Sequence, residues 1–330
     1  MKLQPSVRTL TITIPNLVPE AGETTVTKYI DISQCASLVN RRFYRQGLNW
    51  AVSGFTLHLT TDAIAGSIQI MKLPNTWVAS NAWEKSMRAW LKQQNDAIEE
   101  AGAESAVARF RDFKIHADKR HVENGFANNL LPATRDNAGV WQSYSLGEWQ
   151  PSFIVIPNAD GASVADHESM LHMTGDNFVG GTGNPQDADS RGMIEGYADS
   201  RAFPQSPDPV SPSIYSKNNW MRDMFDVGND SNTITQNATD NNDNLPYNQV
   251  NYPNGENNAN DLQYHDQLNA LASTISGKVT GRGGNFPCGI VKLQIDQTLG
   301  AISDVPVAWL QVHLVPGMAK GYLTEPMTDM

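Results

Sequence analysis

At 330 residues and 40 % hydrophobic content the chain carries enough apolar material for a full core, and it exceeds the roughly 250–300 residues at which a single core usually stops growing. One large domain spanning residues 1–330 with long insertions is therefore expected. The formal charge of −11 excludes a whole-chain basic footprint for nucleic acid and disfavours attachment to anionic membranes.

Taken in chain order, residues 7–14 place Leu10, Ile12 and Ile14 on one face and Thr9, Thr11 and Thr13 on the other, the pattern of a strand with one wet face. A weaker strand is expected over 25–32, ending Tyr-Ile-Asp-Ile. After the basic group Arg41, Arg42 and Arg45, Phe55, Leu57 and Leu59 alternate with Thr56, His58 and Thr60. Ser67-Ile68-Gln69-Ile70 supplies a fourth strand. The period then changes. From Ser80 to Ala101, Trp83, Met87, Trp90, Leu91 and Ile98 form one stripe of a 3.6-residue helix, with Ser80 as cap and Gly102 as stop. Its outer side carries Lys85, Arg88 and Lys92, a solvated face in the plainest reading.

Strand character returns at Phe110–Ile115, Val140–Leu146, Phe153–Pro157 and Met193–Arg201, separated by loops such as Gly175–Gly183. Residues 204–212 hold four prolines, each lacking a donor, and read as an extended loop. Gly228 to Asp261 is dominated by Asn and reads as a surface insertion, so that about 204–262 forms Pro- and Asn-rich loops. Leu262, Leu268, Leu271 and Ile275 fit the stripe of a short helix, and Gly281-Arg-Gly-Gly reads as a turn. Val291, Leu293 and Ile295 then alternate with polar residues. Ala308, Leu310, Val312 and Leu314 do the same in a closing strand that must pair with something already made. A hairpin between these two strands across Leu299–Pro306 is expected. The total of about ten short strands with one long helix argues an all-β architecture, with a sandwich, a jelly roll or a barrel left open.

Catalytic signatures are missing from the sequence: there is no nucleophile elbow, P-loop or dinucleotide fingerprint. His167-Glu168 with His172 has i, i+5 spacing, where a zinc helix needs i, i+4. Asp240 to Asn244 resembles the start of a calcium loop, but Leu245 stands where the turn needs Gly, leaving at most a loose Ca2+ or Na+ site and no other cofactor expected. Asn229 and Asn237 sit in glycosylation-type triplets, read as chance because residues 1–9 lack an apolar targeting segment. No run approaches the roughly 18 apolar residues of a membrane span, so no membrane insertion is expected. Cys35 and Cys288, far apart, are expected as two free buried thiols, with a single bridge as the alternative. Trp77, Trp83, Trp141, Trp149 and Trp220 are core or interface residues in the first reading and a sugar-stacking platform in the second. Arg41, Arg42 and Arg45, with Lys2 and Arg8 near in sequence, are the candidate contacts to a polyanion, weighed against ordinary salt bridging.

Four stretches carry a resemblance. Lys72-Leu-Pro-Asn-Thr-Trp-Val, Asn81-Ala-Trp-Glu-Lys, Arg111-Asp-Phe-Lys-Ile and the tail from Leu314-Val-Pro-Gly to Glu325-Pro-Met resemble pieces of capsid proteins of circular, Rep-encoding single-stranded DNA (CRESS-DNA) viruses of the marine and environmental kind. The resemblance implies a single jelly roll, eight strands in a two-sheet antiparallel sandwich with long loops. It implies self-assembly into an icosahedral virion around single-stranded DNA, without enzymatic activity, and assembly inside the host cell, in the nucleus. Those capsids usually open with a long basic arm, whereas only Lys2 and Arg8 precede the first strand here, which leaves nuclear targeting without a sequence basis. The tail 316–330, with Tyr322, Leu323, Pro326 and Met327, is the candidate contact to a neighbouring subunit. The rival expectations are a carbohydrate-binding or adhesin-like sandwich and a hydrolase on a jelly-roll scaffold.

Overall fold

The structure, a computed structural model, describes residues 6–14, 25–59, 66–103, 105, 111–156, 167–178, 190–201, 232–240, 262–270, 277–296 and 308–330. The chain begins with β1 (Thr9–Ile14) and β2 (Thr25–Asp31), then α1 (Ile32–Asn40), β3 (Leu48–Leu59), β4 (Gly66–Lys72) and α2 (Trp77–Glu100). An insertion follows: α3 (Lys119–Asn124), β5 (Ala133–Arg135), β6 (Trp141–Ser143), β7 (Phe153–Ile156), β8 (His167–His172), β9 (Ser190–Gly192), α4 (Met193–Arg201) and α5 (Asn232–Asp240). The second half of the sandwich is β10 (Gln263–Ala270), β11 (Lys278–Phe286), β12 (Ile290–Asp296) and β13 (Ala308–Leu314). The tail adds the short strands β14 (Pro316–Gly317), β15 (Gly321–Tyr322) and β16 (Thr324–Pro326).

Two antiparallel sheets make an all-β sandwich. The first has the order β1-β13-β3-β11, and the second β10-β4-β12-β2. Alternation drives the pairing. β13 buries Ala308, Leu310, Val312 and Leu314, and β1 buries Leu10, Ile12 and Ile14 directly opposite three of them. The closing strand does return to the start of the chain. The core between the sheets adds Phe55 and Leu57 from β3, Ile68 and Ile70 from β4, and Val291, Leu293 and Ile295 from β12. β3 is long enough to take β13 along one stretch and β16 along the next, so the tail extends the first sheet at Leu48–Trp50.

A second core lies at one end of the sandwich, beneath α2. Val78, Ala82, Trp83 and Trp90 from the helix meet Phe113, Ile115, Leu171, Ile194 and Met327. α2 starts one turn earlier than expected, because the Thr76 hydroxyl, and not Ser80, accepts the Ala79 N–H. Ser80 instead donates to the Met327 carbonyl. Gly102, at φ +63°, stops the helix as expected.

Several expectations are corrected. Met193–Arg201 is a helix and not a strand: Ile194 and Tyr197, three apart, bury one face against the second core. Gln263–Ala270 is an edge strand and not a helix. Pairing with β4 overrides the helical stripe, and Leu268 enters the core between the sheets; Leu271 and Ile275 lie outside the described residues. Residues 111–115 form no ladder, because side chains satisfy their backbone: Gln46 Oε1 accepts the Ile115 N–H and Ser152 Oγ accepts that of Lys114. Of Val140–Leu146, Trp141–Ser143 forms the strand, in a hairpin with β5, and Val140 and Tyr144 add single backbone hydrogen bonds at its ends. β12 and β13 form no hairpin; they lie in different sheets. Gly281-Arg-Gly-Gly is not a turn but the middle of β11. A Cβ on Gly281 would lie 2.6 Å from Leu268 Cδ2, and one on Gly283 2.4 Å from the Val52 carbonyl, so the glycines permit close approach of strands where the sheets meet. The Pro-rich segment 204–212 and Asn-rich residues 241–261 lie outside the described residues, while Asn232–Asp240 within the Asn-rich stretch is helical.

Candidate functional site

The Arg-rich segment follows α1. Asp31 caps that helix by accepting the Gln34 N–H, and Ile32, Cys35 and Ala36 bury one side. The helix ends on Arg41 in the left-handed region (φ 52°), a conformation normally left to Gly or Asn. It persists because its neighbours are tied down. Asn40 Nδ2 donates to the Ala36 carbonyl and to the Tyr322 hydroxyl, and Asn40 Oδ1 accepts the Val7 N–H. Lys320 Nζ donates to the Phe43 carbonyl, and the Lys320 carbonyl accepts from Ser6 and Tyr44 hydroxyls. The start of β1, the end of α1 and the tail thus meet at one corner.

Beside that corner a cavity of about 470 Å³ is lined by Arg41, Arg42, Phe43, Lys114, Glu148 and Trp149, among others. Lys114 Nζ sits 4.7 Å over the Trp149 ring and 3.6 Å from Asp112 Oδ2. Trp149 is fixed from behind by donating Nε1–H to Asp31 Oδ2 at 3.0 Å. Burial pushes the Asp31 carboxyl up to about 7, against hydrogen bonds from Gln34, Gln46 and Trp149 that draw it down. Burial likewise raises Asp112, opposed by the charges of Lys114 and Arg45 and by the Gln46 N–H. The structure therefore gathers Arg41 and Arg42 into one wall and adds Lys114, which the sequence reading missed because it lies over 70 residues away. Arg45 is exposed and does not line the cavity; its charge acts on Asp112. Arg8 is exposed just ahead of β1, and Lys2 lies outside the described residues. Three cations against one carboxylate around an open cavity suit an anion.

The proposed tail contacts divide. Tyr322 and Met327 are buried within their own chain, at 1 % and 0 % exposure. Tyr322 packs against Tyr44 and Trp50 and donates to the Val7 carbonyl. Those two side chains are used in the chain's own interior. Leu323 and Pro326 face outward.

The densest titratable cluster lies under the second sheet. Asp118 caps α3 by accepting the His121 N–H, accepts from the Tyr29 hydroxyl at 2.6 Å, and receives Lys292 Nζ at 2.6 Å. Burial pushes its carboxyl up, but Lys292 and these bonds bring it below the usual range. His116, His121 and His172 are buried nearby, with the His116 and His121 ring centroids 4.9 Å apart. Burial lowers all three, His121 to about 4. His121 Nδ1 accepts the Ala117 N–H, which fixes the ring as a neutral Nε2–H tautomer donating to Asn129. Among the described residues no group of three or more His, Cys, Asp or Glu is arranged to hold a metal ion. The calcium-like stretch beyond Asp240 lies outside the described residues.

Both cysteines are free and buried. Trp83 and Trp149 are core residues, Trp77 is exposed, Trp141 is half-buried, and Trp220 lies outside the described residues. No described helix is long and apolar enough to cross a membrane. Comparison of the chain with protein-family models, with curated proteins and with solved structures returns no match in any of the three.

Proposed function

We propose that the protein is a capsid subunit of a single-stranded DNA virus, acting by assembly with copies of itself into a shell. The observation that carries this reading is the strand order. Numbered within the sandwich alone, the sheets run 1-8-3-6 and 5-4-7-2, and successive strands change sheet at every step except from the fourth to the fifth. That order supports a jelly roll, an architecture that viral coat and lectin domains use. All four connections at one end of the sandwich (15–24, 60–65, 271–276 and 297–307) lie outside the described residues, while the opposite end carries α1, α2, the insertion and the tail.

Outward apolar side chains supply material for subunit contacts: Met318, Leu323, Trp77, Phe153 and Val155 are all exposed. Obligate interfaces of this kind usually bury over about 2,000 Å². The cavity wall of Arg41, Arg42 and Lys114 offers a positive surface for DNA phosphates in a chain that is acidic overall. Negative-stain microscopy and light scattering of the purified protein test the proposal. Closed particles of uniform size are expected, and a monodisperse monomer at every salt and pH overturns it.

A second reading, a carbohydrate-binding sandwich, is favoured by one observation: Trp141 and Trp309 lie with ring centroids 5.6 Å apart and are half-buried. Binding of neutral glycans lost on Trp141→Ala, without particle formation, would select it.

A further inference from the structure

The outer face of the first sheet has a composition unlike the rest of the chain. Cross-strand register sets twelve outward positions in three rows. Thr9, His313, Gly54 and Arg282 form one row; Thr11, Gln311, Thr56 and Thr280 the next; Thr13, Trp309, His58 and Lys278 the third. None is a carboxylate, in a chain where acids outnumber bases 35 to 24. Lys278 and Arg282 are exposed and make no ion pair among the described residues. Arg8 is exposed immediately ahead of Thr9.

Aromatic rings run through the same face. His58 stacks on Trp309 with centroids 5.2 Å apart and planes 10° from parallel. Trp141, from the β5–β6 hairpin, adjoins Trp309, and the exposed Arg135 guanidinium stands 5.1 Å over the Trp141 ring. The nearest acid of that hairpin, Asp136, is turned onto its own backbone, accepting from Ala138 and Val140 N–H groups. His313 is fixed between the Thr9 and Thr56 hydroxyls, 3.1 and 2.8 Å away. The result is a surface of hydroxyls, amide and ring edges, with Thr56 buried at its centre, flanked by cations on both sides.

We infer that this face is a binding surface for single-stranded nucleic acid. Phosphates are met by Lys278 and Arg282 along one edge and by Arg135 and Arg8 along the other, and bases lie against the Trp141–Trp309–His58 rings between them. Charge selects the polymer: twelve outward positions without a carboxylate, edged by exposed cations that make no ion pair among the described residues, fit a polyanion, and Asp266, beside the β11 edge, is held by the Arg282 backbone N–H. The inference rests on the coat-subunit reading for why such a polymer is at hand, but not for its chemistry.

The test uses the whole chain and an oligo-dT of about 20 nucleotides, followed by tryptophan fluorescence across a salt series. Binding that weakens with salt is expected. Lys278→Ser with Arg282→Ser, both exposed positions, should weaken it at least tenfold and reduce the slope of log affinity against log salt by about 1.4, the value for two single-strand phosphate contacts. His58→Ala should weaken binding with little change in that slope. Wild-type affinity in the double variant overturns the inference, as does tight binding of a neutral glucan in place of the oligonucleotide. Particles that form normally while the double variant binds as wild type sink this inference alone. Salt-sensitive, Lys278- and Arg282-dependent binding by a protein that never assembles sinks the coat reading alone.

Discussion

The Tyr29 and His121 rings lie one on the other, centroids 4.1 Å apart and planes 8° from parallel. Tyr29 belongs to β2 and His121 to α3, so this stack fastens the insertion onto the outer face of the second sheet. Asp118 completes the joint by holding the Tyr29 hydroxyl, the Lys292 ammonium and the His121 N–H together.

Acid should open this joint. His116, His121 and His172 all have folded-state values below that of a free imidazole, through burial and, for His116, also through the neighbouring His121 and His172. Their contribution to stability is present above about pH 6.5 and is lost as pH falls toward the His121 value of about 4. Asp31 acts with the opposite sign: its raised value, about 7, makes it costlier as pH rises from 4 to 7. Facing the histidines are Asp118, Lys292, Tyr29 and Asp176, while Arg120 and Glu123 on α3 act on Tyr29. Three imidazoles together with the lowered Asp118 outweigh the two raised carboxyls, Asp31 and Asp112, so Tm should drop as pH goes from 7 to 4.5. In His121→Gln the drop should be smaller, and an equal drop in both would contradict the assignment.

Removing the cation should be worse than removing the pair. Lys292 and Asp118 are both largely buried, at 14 % and 11 % side-chain exposure. Lys292→Met leaves a carboxylate without its counter-charge and should cost about 3 kcal/mol in urea denaturation. Adding Asp118→Asn should recover part of that loss, since a neutral amide still accepts from Tyr29.

The tail should matter through its buried side chains, Met327 among them. Met327 is fully buried beneath α2; its sulfur lies 3.3 Å from the Cys288 nitrogen, and its carbonyl accepts from Ser80. Met327→Ala should cost about 2–5 kcal/mol. Leu323→Ser, at an outward position, should change stability by about 0.5 kcal/mol or less. If the coat reading holds, the second variant should instead alter assembly, visible as a shift in the protein concentration at which particles form.

Cys35 and Cys288 should resist a thiol reagent until the chain unfolds. Burial, with the Asp31 charge nearby, pushes both thiols well up, so little thiolate exists at neutral pH. Both thiols should react together across the unfolding transition. Reaction of one thiol in native buffer would place it nearer the surface than the fold allows.

The sandwich strands were legible where one face is buried and the other wet. The alternation in β1, β12 and β13 fixes both element and register, because a one-residue slip would expose Leu10, Leu293 or Leu310. β10 was not legible: Gln263 to Ala270 offers a single core side chain, and its strand state comes from the β4 edge. β11 was hidden by its glycines, which look like turn chemistry until the neighbouring Leu268 and Val52 are seen pressing on them. The Arg41–Arg42 wall was visible as a cluster, but Lys114 enters it through tertiary folding. The outer face of the first sheet was not legible because its charges come from three separate segments, and no local window contains them. Likewise His116, His121 and His172 converge only once α3 docks against β8.

The pairing of β1 with β13 sets a timetable for folding. Thr9 and His313 face each other across a separation of 304 residues, so apart from the isolated Ile12–Pro132 bridge the first strand has no ladder partner until β13 has been made. Closing so long a loop is entropically slow, and contacts of this range go with sluggish folding. Until then the Leu10–Ile12–Ile14 stripe is exposed on an unzipped edge, so production yield should depend more on holding nascent chains apart than on the stability of the finished molecule.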